Sequence, residues 1–254
     1  SLLADPVLPD AIRRSVILSV LRAALAGNDR DLARRAFDLH VRTFPNTAEF
    51  TAYGMLHQAT EAGGGFWEDH DILNSIAQFD LREDLEEVVF EQMNSRLTTE
   101  MNSSDDWAAN YSSPGTISQR TSVSNLLFQD MPASTAFRKL LLERAVTYLT
   151  DKAKFLGPVA PNGGQLGFIR FTGLKITKLA DELSHTHAGS VLSGVYYPYI
   201  PSNVNDEGPA GHIEFGRPDI NFSGPPPPIR MIQPKTGLLL LFPSYLFHRI
   251  LPGD

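Results

Sequence analysis

The chain changes texture part-way along, and that change limits the folds open to it more than any single residue does. Up to about residue 150 the apolar residues recur at helical spacing; from Gly163 onward they fall in short runs bounded by Gly, Pro and Asn. Between Asp10 and Ala62 three helical stretches are predicted. The first ends at Gly27-Asn28-Asp29, the second carries Leu32, Ala36, Phe37 and Val41 before Pro45-Asn46, and the third carries Phe50, Tyr53, Met55 and Leu56. Gly63-Gly64-Gly65 reads as a joint. Two longer amphipathic helices follow, one with Leu85, Val88, Val89, Met93 and Leu97, the other with Phe137, Leu140, Leu141, Ala145, Tyr148 and Leu149 after Pro132, with Ser134 and Thr135 as caps. Their apolar stripes are assigned to the core. Strands are expected over Phe168 to Leu179, Val191 to Ile200, His212 to Phe215, Ile229 to Ile232 and Leu238 to Phe242. Helices first and strands afterwards imply an α+β fold, with helices packed on one face of a mainly antiparallel sheet or barrel.

Composition removes several function classes. The 254 residues carry 22 basic against 29 acidic side chains, so no long-range field attracts nucleic acid or an anionic membrane. No apolar run approaches the ~20 residues needed to span a bilayer. Leu2-Leu3-Ala4 leads straight into Asp5-Pro6, which does not read as a secretory leader, and the expected compartment is the cytoplasm. Cysteine is absent, so a metal site must be built from nitrogen and oxygen ligands.

Histidine supplies such ligands. His185 and His187 are two residues apart, and in a β-strand positions i and i+2 face the same side, so both imidazoles can reach one point. His248 follows the apolar run from Gly237. A third imidazole from a later strand would complete a facial set with open positions opposite, the arrangement that oxygen chemistry at iron requires. His40, His57 and His70 read as core histidines, and His212 as a loop-edge residue.

Three motifs in order carry a resemblance: His185-Thr186-His187 with Ser193-Gly194-Val195-Tyr196-Tyr197, then Gly211 to Pro218, then Phe242-Pro243-Ser244 ending in His248. Together they look like the 2-oxoglutarate/Fe(II) oxygenases of bacteria and phages, with Arg120-Thr121 and Asn125-Leu126-Leu127 fitting more loosely. The second and third helical stretches resemble one tetratricopeptide-type unit, which suggests residues 1–65 as a helical segment able to bind a protein partner. The oxygenase resemblance implies a double-stranded β-helix (jelly-roll) domain with bracing helices over 66–254. It also implies Fe(II), 2-oxoglutarate and O2 as cofactor and co-substrates, and hydroxylation of an unactivated C–H in a small-molecule or peptide substrate, with release of succinate and CO2. A fragment beginning near residue 70 is expected to fold alone.

Two departures from that family's pattern matter. His187 stands where the superfamily has a carboxylate, so three ligand sets are open: His185, His187 and His248; one histidine of the pair with the other behind it; or a carboxylate such as Glu214 or Asp219 folding in. In the superfamily, a cation gripping the far carboxylate of 2-oxoglutarate follows the last histidine. Here Asp254 ends the sequence first, so the expectation is either a continuing strand or a substitute among Arg217, Arg230 and Lys235. Ser193 and Tyr197 are candidate hydrogen-bonding partners of the co-substrate. The loops 201–211 and 221–229, the latter with the stiff Pro225 to Pro228 run, are expected to shape the mouth. Two other readings are a cupin-like three-histidine metalloprotein acting as another dioxygenase or an isomerase, and a catalytically silent interaction module.

Overall fold

The computed structural model describes residues 9–44, 47–63, 65–103, 108–109, 120–124, 132–159, 167, 172–176, 183–187, 189–201, 204 and 208–252. The three N-terminal helices are α1 (Asp10–Ala26), α2 (Arg30–Thr43) and α3 (Ala48–Ala62). Asp29 caps α2 by accepting the Leu32 N–H at 3.0 Å, and Thr47 caps α3 through Phe50 N–H at 3.3 Å. After α4 (Phe66–His70) and a 3₁₀ turn at Ile72–Ser75 come β1 (Ala77–Asp80), α5 (Leu81–Asp84) and α6 (Glu87–Ser103). The order continues with β2 (Ala108–Ala109), β3 (Arg120–Ser124), α7 (Pro132–Lys152) and β4 (Thr172–Ile176). Last come β5 (Leu192–Tyr196), β6 (Ile213–Phe215), β7 (Arg230–Ile232), β8 (Leu238–Pro243) and β9 (His248–Ile250).

The described strands form three antiparallel three-stranded sheets, ordered β1-β8-β5, β2-β3-β4 and β7-β6-β9. This is the mixed helix-and-sheet architecture expected. Every residue of β8 is buried, because alternate side chains enter different cores. Leu238, Leu240 and Phe242 join Ile17, Leu21, Phe50, Tyr53 and Leu56 of the N-terminal helices with Ile213, Phe215 and Ile232 of the β7-β6-β9 sheet. Leu239 and Leu241 join Phe90, Met93 and Leu97 of α6 and Phe137, Leu141 and Tyr148 of α7. Gly194 lets β5 lie close to β8: a Cβ there would stand 2.7 Å from Leu241 and 3.0 Å from the Leu240 carbonyl.

Several local expectations need correction. His185 is not in a regular strand; it forms an isolated bridge with His248. On α6 the buried face is Phe90, Met93, Asn94 and Leu97, whereas Val88 and Val89 are 64% and 47% exposed. The helix α7 begins at Pro132, so Ser134 and Thr135 lie inside its first turn instead of before it. Strands β1, β2, β3 and β9 have no counterpart among the expected strands, and β5 and β7 are shorter than their sequence runs. Asn125-Leu126-Leu127 and most of the expected 168–179 strand lie outside the described residues. Apart from these corrections, one apolar cluster contains residues from both sides of Gly63 to Gly65, among them Ile17, Phe50, Ile72 and Phe242.

Candidate metal centre

The site is built where two chain segments return to one place. The apolar run Leu238 to Phe242 makes a central strand, Pro243 ends it, and a turn closed by Leu246 N–H to the Pro243 carbonyl at 3.0 Å sends the chain into β9. His248 is the first residue of β9 and pairs with Phe215. The earlier segment is fixed by backbone bonds. His185 and His248 exchange N–H···O bonds of 3.0 Å each, and His187 N–H donates to the Ser244 carbonyl at 3.0 Å. Ser244 is fully buried, and its hydroxyl lies 2.7 Å from that of Ser193. Ser193 therefore braces the turn that holds His187.

These bonds bring the three imidazoles together: one ligand nitrogen from each of His185, His187 and His248 lies within 4.8 Å of the others. The His248 ring packs edge-on against Phe242 at 4.8 Å and is buried, whereas His185 is half-buried and His187 exposed. The site thus has an apolar floor and an open side. Burial first, and then the neighbouring His185 and His187, hold the His248 imidazole well below its ordinary range. A neutral ring is the form that binds a metal.

The hydrogen bonds decide which nitrogen faces inward. Nδ1 of His248 lies 2.9 Å from the Leu246 carbonyl, and Nδ1 of His185 lies 3.2 Å from the Leu183 carbonyl. A carbonyl only accepts, so each Nδ1 carries the proton and each Nε2 presents a lone pair, the tautomer seen at metal-binding histidines. His248 Nε2 and His187 Nε2 are 3.1 Å apart. Two lone pairs at that separation repel unless a proton or cation lies between them. Two nitrogens ~2.1 Å from one ion and at right angles would be roughly 3 Å apart. The residues fit a divalent metal.

The acidic alternatives are committed elsewhere. Glu214 precedes Phe215 on β6, so it faces away from the side shared by Phe215 and His248. It accepts from Arg217 Nε at 2.7 Å, Arg217 Nη2 at 3.0 Å and Arg249 Nε at 2.7 Å; the Arg217 bonds foremost hold its carboxyl below the usual range. Asp219 is bound by Arg22 at 2.6 Å and Tyr53 at 2.7 Å. Of the candidate cations, Arg217 is engaged by Glu214, Lys235 is exposed, and Arg230 pairs with Phe215 on the side of the sheet that His248 occupies. Arg230 Nη1 makes a long contact of 3.5 Å to the Leu73 carbonyl. Tyr197 packs partly buried against the core of Leu238, Leu240 and Phe242. His40 and His70 stack on Phe50 and Phe66, and His57 lies tilted against Phe37, all apart from the site.

Residues 175–254 match a family model described as "Putative 2OG-Fe(II) oxygenase". That stretch is similar to the 2-oxoglutarate/Fe(II) oxygenase family. Members of that family use Fe(II), 2-oxoglutarate and O2, and all three clustered histidines lie within the matched stretch. A crystal structure of a Pseudomonas putida prolyl-4-hydroxylase is similar over 72% of this chain and 89% of that chain, with 13% identity and a TM-score of 0.47. No curated protein matches the chain. No helix among the described residues is long and apolar enough to cross a membrane.

Sequence reasoning missed the supports of the three clustered histidines. Ser184 donates to the Arg217 carbonyl at 2.5 Å, and the carbonyls of Leu183 and Leu246 orient two rings. Ser244 is visible in the Phe-Pro-Ser motif, but backbone carbonyls leave no mark on a sequence. Arg249 was missed too; its place directly after His248 puts it on the opposite face, beside Glu214.

Proposed function

We propose that His185, His187 and His248 together hold one Fe(II), and that the chain hydroxylates an unactivated C–H of a small-molecule or peptide substrate. The convergence of three ligand nitrogens, two of them oriented by carbonyls behind them, carries this reading. Bound Fe(II) and 2-oxoglutarate supply an oxidation in which O2 is divided between succinate and the hydroxylated substrate, with loss of CO2. The chain's own residues set the geometry. Phe242 and Phe215 close the floor against water, and the exposed side at His187 leaves the approach for co-substrate and substrate.

For the far carboxylate of 2-oxoglutarate, we favour Arg230. It lies two strands from His248 on the same side, a separation of roughly 10 Å at the backbone that a long guanidinium side chain can bridge in part. Arg217 would first have to leave Glu214. Tyr197 is the candidate phenol donor, and Ser193 acts through Ser244. In this reading the β1-β8-β5 and β7-β6-β9 sheets are the two faces of a double-stranded β-helix within 66–254, with residues 1–65 as the attached helical segment and a partner-binding surface.

A second reading, a cupin-like three-histidine metalloprotein without a keto acid, is favoured by one observation: both nearby carboxylates are engaged elsewhere. One experiment separates the two. Anaerobic Fe(II) followed by 2-oxoglutarate should give the weak visible charge-transfer band of the chelate, and His187→Ala should abolish it. Iron binding with no band on adding 2-oxoglutarate would support the cupin-like reading.

A further inference from the structure

Besides the shared apolar core, a short stretch of loop joins the N-terminal helices to the segments that carry the histidines. Loop 216–229 leaves β6 directly after Phe215, the partner of His248. Gly216 N–H donates to the Phe247 carbonyl at 2.9 Å, and the Arg217 carbonyl accepts from Ser184 at 2.5 Å. The residue before His248 and the residue before His185 are thus bonded to two consecutive loop residues. The turn is tightly packed and needs glycine: Gly216 has φ +99°, and a Cβ there would stand 2.1 Å from the Pro228 carbonyl oxygen. Asp219, two residues beyond Arg217, enters the helices. It accepts from Arg22 of α1 at 2.6 Å and from the Tyr53 hydroxyl of α3 at 2.7 Å. Tyr53 is buried, with its ring edge-on to Phe247 at 5.5 Å and the Arg22 guanidinium 5.2 Å from its face. Farther along, Trp67 Nε1 donates to the Pro225 carbonyl at 2.8 Å, so the helices hold the proline run as well.

We propose that Asp219 is a positioning residue for the metal centre. Gripped by Arg22 and Tyr53, it fixes Gly216 and Arg217, and through them the spacing of the His185 and His248 backbones. This assignment rests on the three-histidine reading above. Asp219 touches none of the histidines, so its loss removes no ligand. It instead frees the common anchor of the two ligand-bearing segments, which spreads the nitrogens from a geometry that one ion can span. The helical segment is in this sense part of the metal site.

The test uses the full chain and Co(II) alone, read by affinity and by the visible ligand-field spectrum. Tyr53→Phe and Asp219→Asn should each weaken Co(II) binding about tenfold and shift the spectrum, at a temperature where their circular dichroism equals that of the unaltered protein. Tyr148→Phe is the control. It removes a buried hydroxyl bonded to the Ser75 carbonyl in the other core, and should lower thermal stability while leaving Co(II) affinity and spectrum unchanged. Co(II) binding within about twofold of the unaltered protein and an unshifted spectrum in Tyr53→Phe would overturn the proposal, as would an equal loss in Tyr148→Phe. If Asp219→Asn does not fold, Tyr53→Phe alone decides. His187→Ala binding Co(II) normally would strike the three-histidine reading instead, which is a separate failure.

Discussion

Strand β8 divides the molecule into two interiors. Leu239 and Leu241 enter one made with α6 and α7, where the polar bonds are fastenings: Tyr148 to the Ser75 carbonyl at 2.8 Å and Tyr196 to Asn94 at 2.5 Å. Leu238, Leu240 and Phe242 enter the other, made with α1, α3 and the β7-β6-β9 sheet, where Tyr53 reaches Asp219 and His248 lies against Phe242. Both are apolar and both stabilise β8. Among the described residues only the second places one of the three clustered imidazoles against its side chains, so packing there bears on the candidate metal centre and packing on the other face does not.

The largest test of that coupling is removal of residues 1–65. Ile17, Leu21, Phe50, Tyr53 and Leu56 are each at most 2% exposed, and burying such a side chain contributes about 1.5–3 kcal/mol. Their sum approaches the 5–15 kcal/mol total stability typical of a domain. A fragment from about residue 70 should therefore lose its cooperative thermal transition, the reverse of the sequence expectation. A sharp transition near that of the full chain would separate the two interiors from the helices altogether.

Next in size is a pair of substitutions on adjacent residues of one strand. Phe242→Ala and Leu241→Ala should each cost about 3–5 kcal/mol by leaving a cavity. Phe242→Ala should also weaken Fe(II) binding, because its ring sets the floor under His248. Leu241→Ala should leave affinity unchanged wherever the protein is folded. Equal effects on affinity would erase the distinction between the two faces.

Much of this was legible because it is local. The breaks at Gly27 to Asp29 and Pro45-Asn46 delimit α1 to α3, and the apolar run from Leu238 marks a doubly buried strand. The His-x-His pair and the distal His248 mark the three rings. What escaped depends on partners far along the chain. β9 is three residues long, and only its pairing with β6 defines it. The engagement of Glu214 by Arg249, and of Asp219 by Arg22 across 197 residues, has no local signature. The same-face argument for His185 and His187 assumed a regular strand. The rings converge through an isolated bridge and the Ser244 carbonyl instead.

A smaller effect concerns the outer face of the β7-β6-β9 sheet. Glu214→Gln removes the charge that two guanidiniums share, at a cost of about 2 kcal/mol, moderated because the Arg217 side chain is half exposed. The folded carboxyl is held below its ordinary 4.5. Its stabilisation is therefore complete above about pH 4.5 and is lost as pH falls through the lower folded value. Thermal melts from pH 7 to pH 3 should show the unaltered protein converging on Glu214→Gln as acid is added. A constant gap between them would mean the carboxylate's charge contributes nothing.

The smallest effect is expected on α6, where periodicity alone misassigned the buried face. Leu85, Val88, Val89, Met93 and Leu97 read as one stripe, but the helix begins at Glu87 and turns Phe90, Met93 and Leu97 toward α7 and the sheet. Residues 90, 93, 94 and 97 follow the i, i+3, i+4, i+7 pattern of one face, and Val88 falls outside it. Val88, 64% exposed, loses almost nothing on truncation, so Val88→Ala should shift stability by no more than about 0.5 kcal/mol. Phe90→Ala, two residues away and 1% exposed, should cost about 3–5 kcal/mol. Denaturant midpoints for the two variants measure the orientation of α6 directly: a comparable loss in both would mean that the helix is rotated, with Val88 facing the bracing core after all.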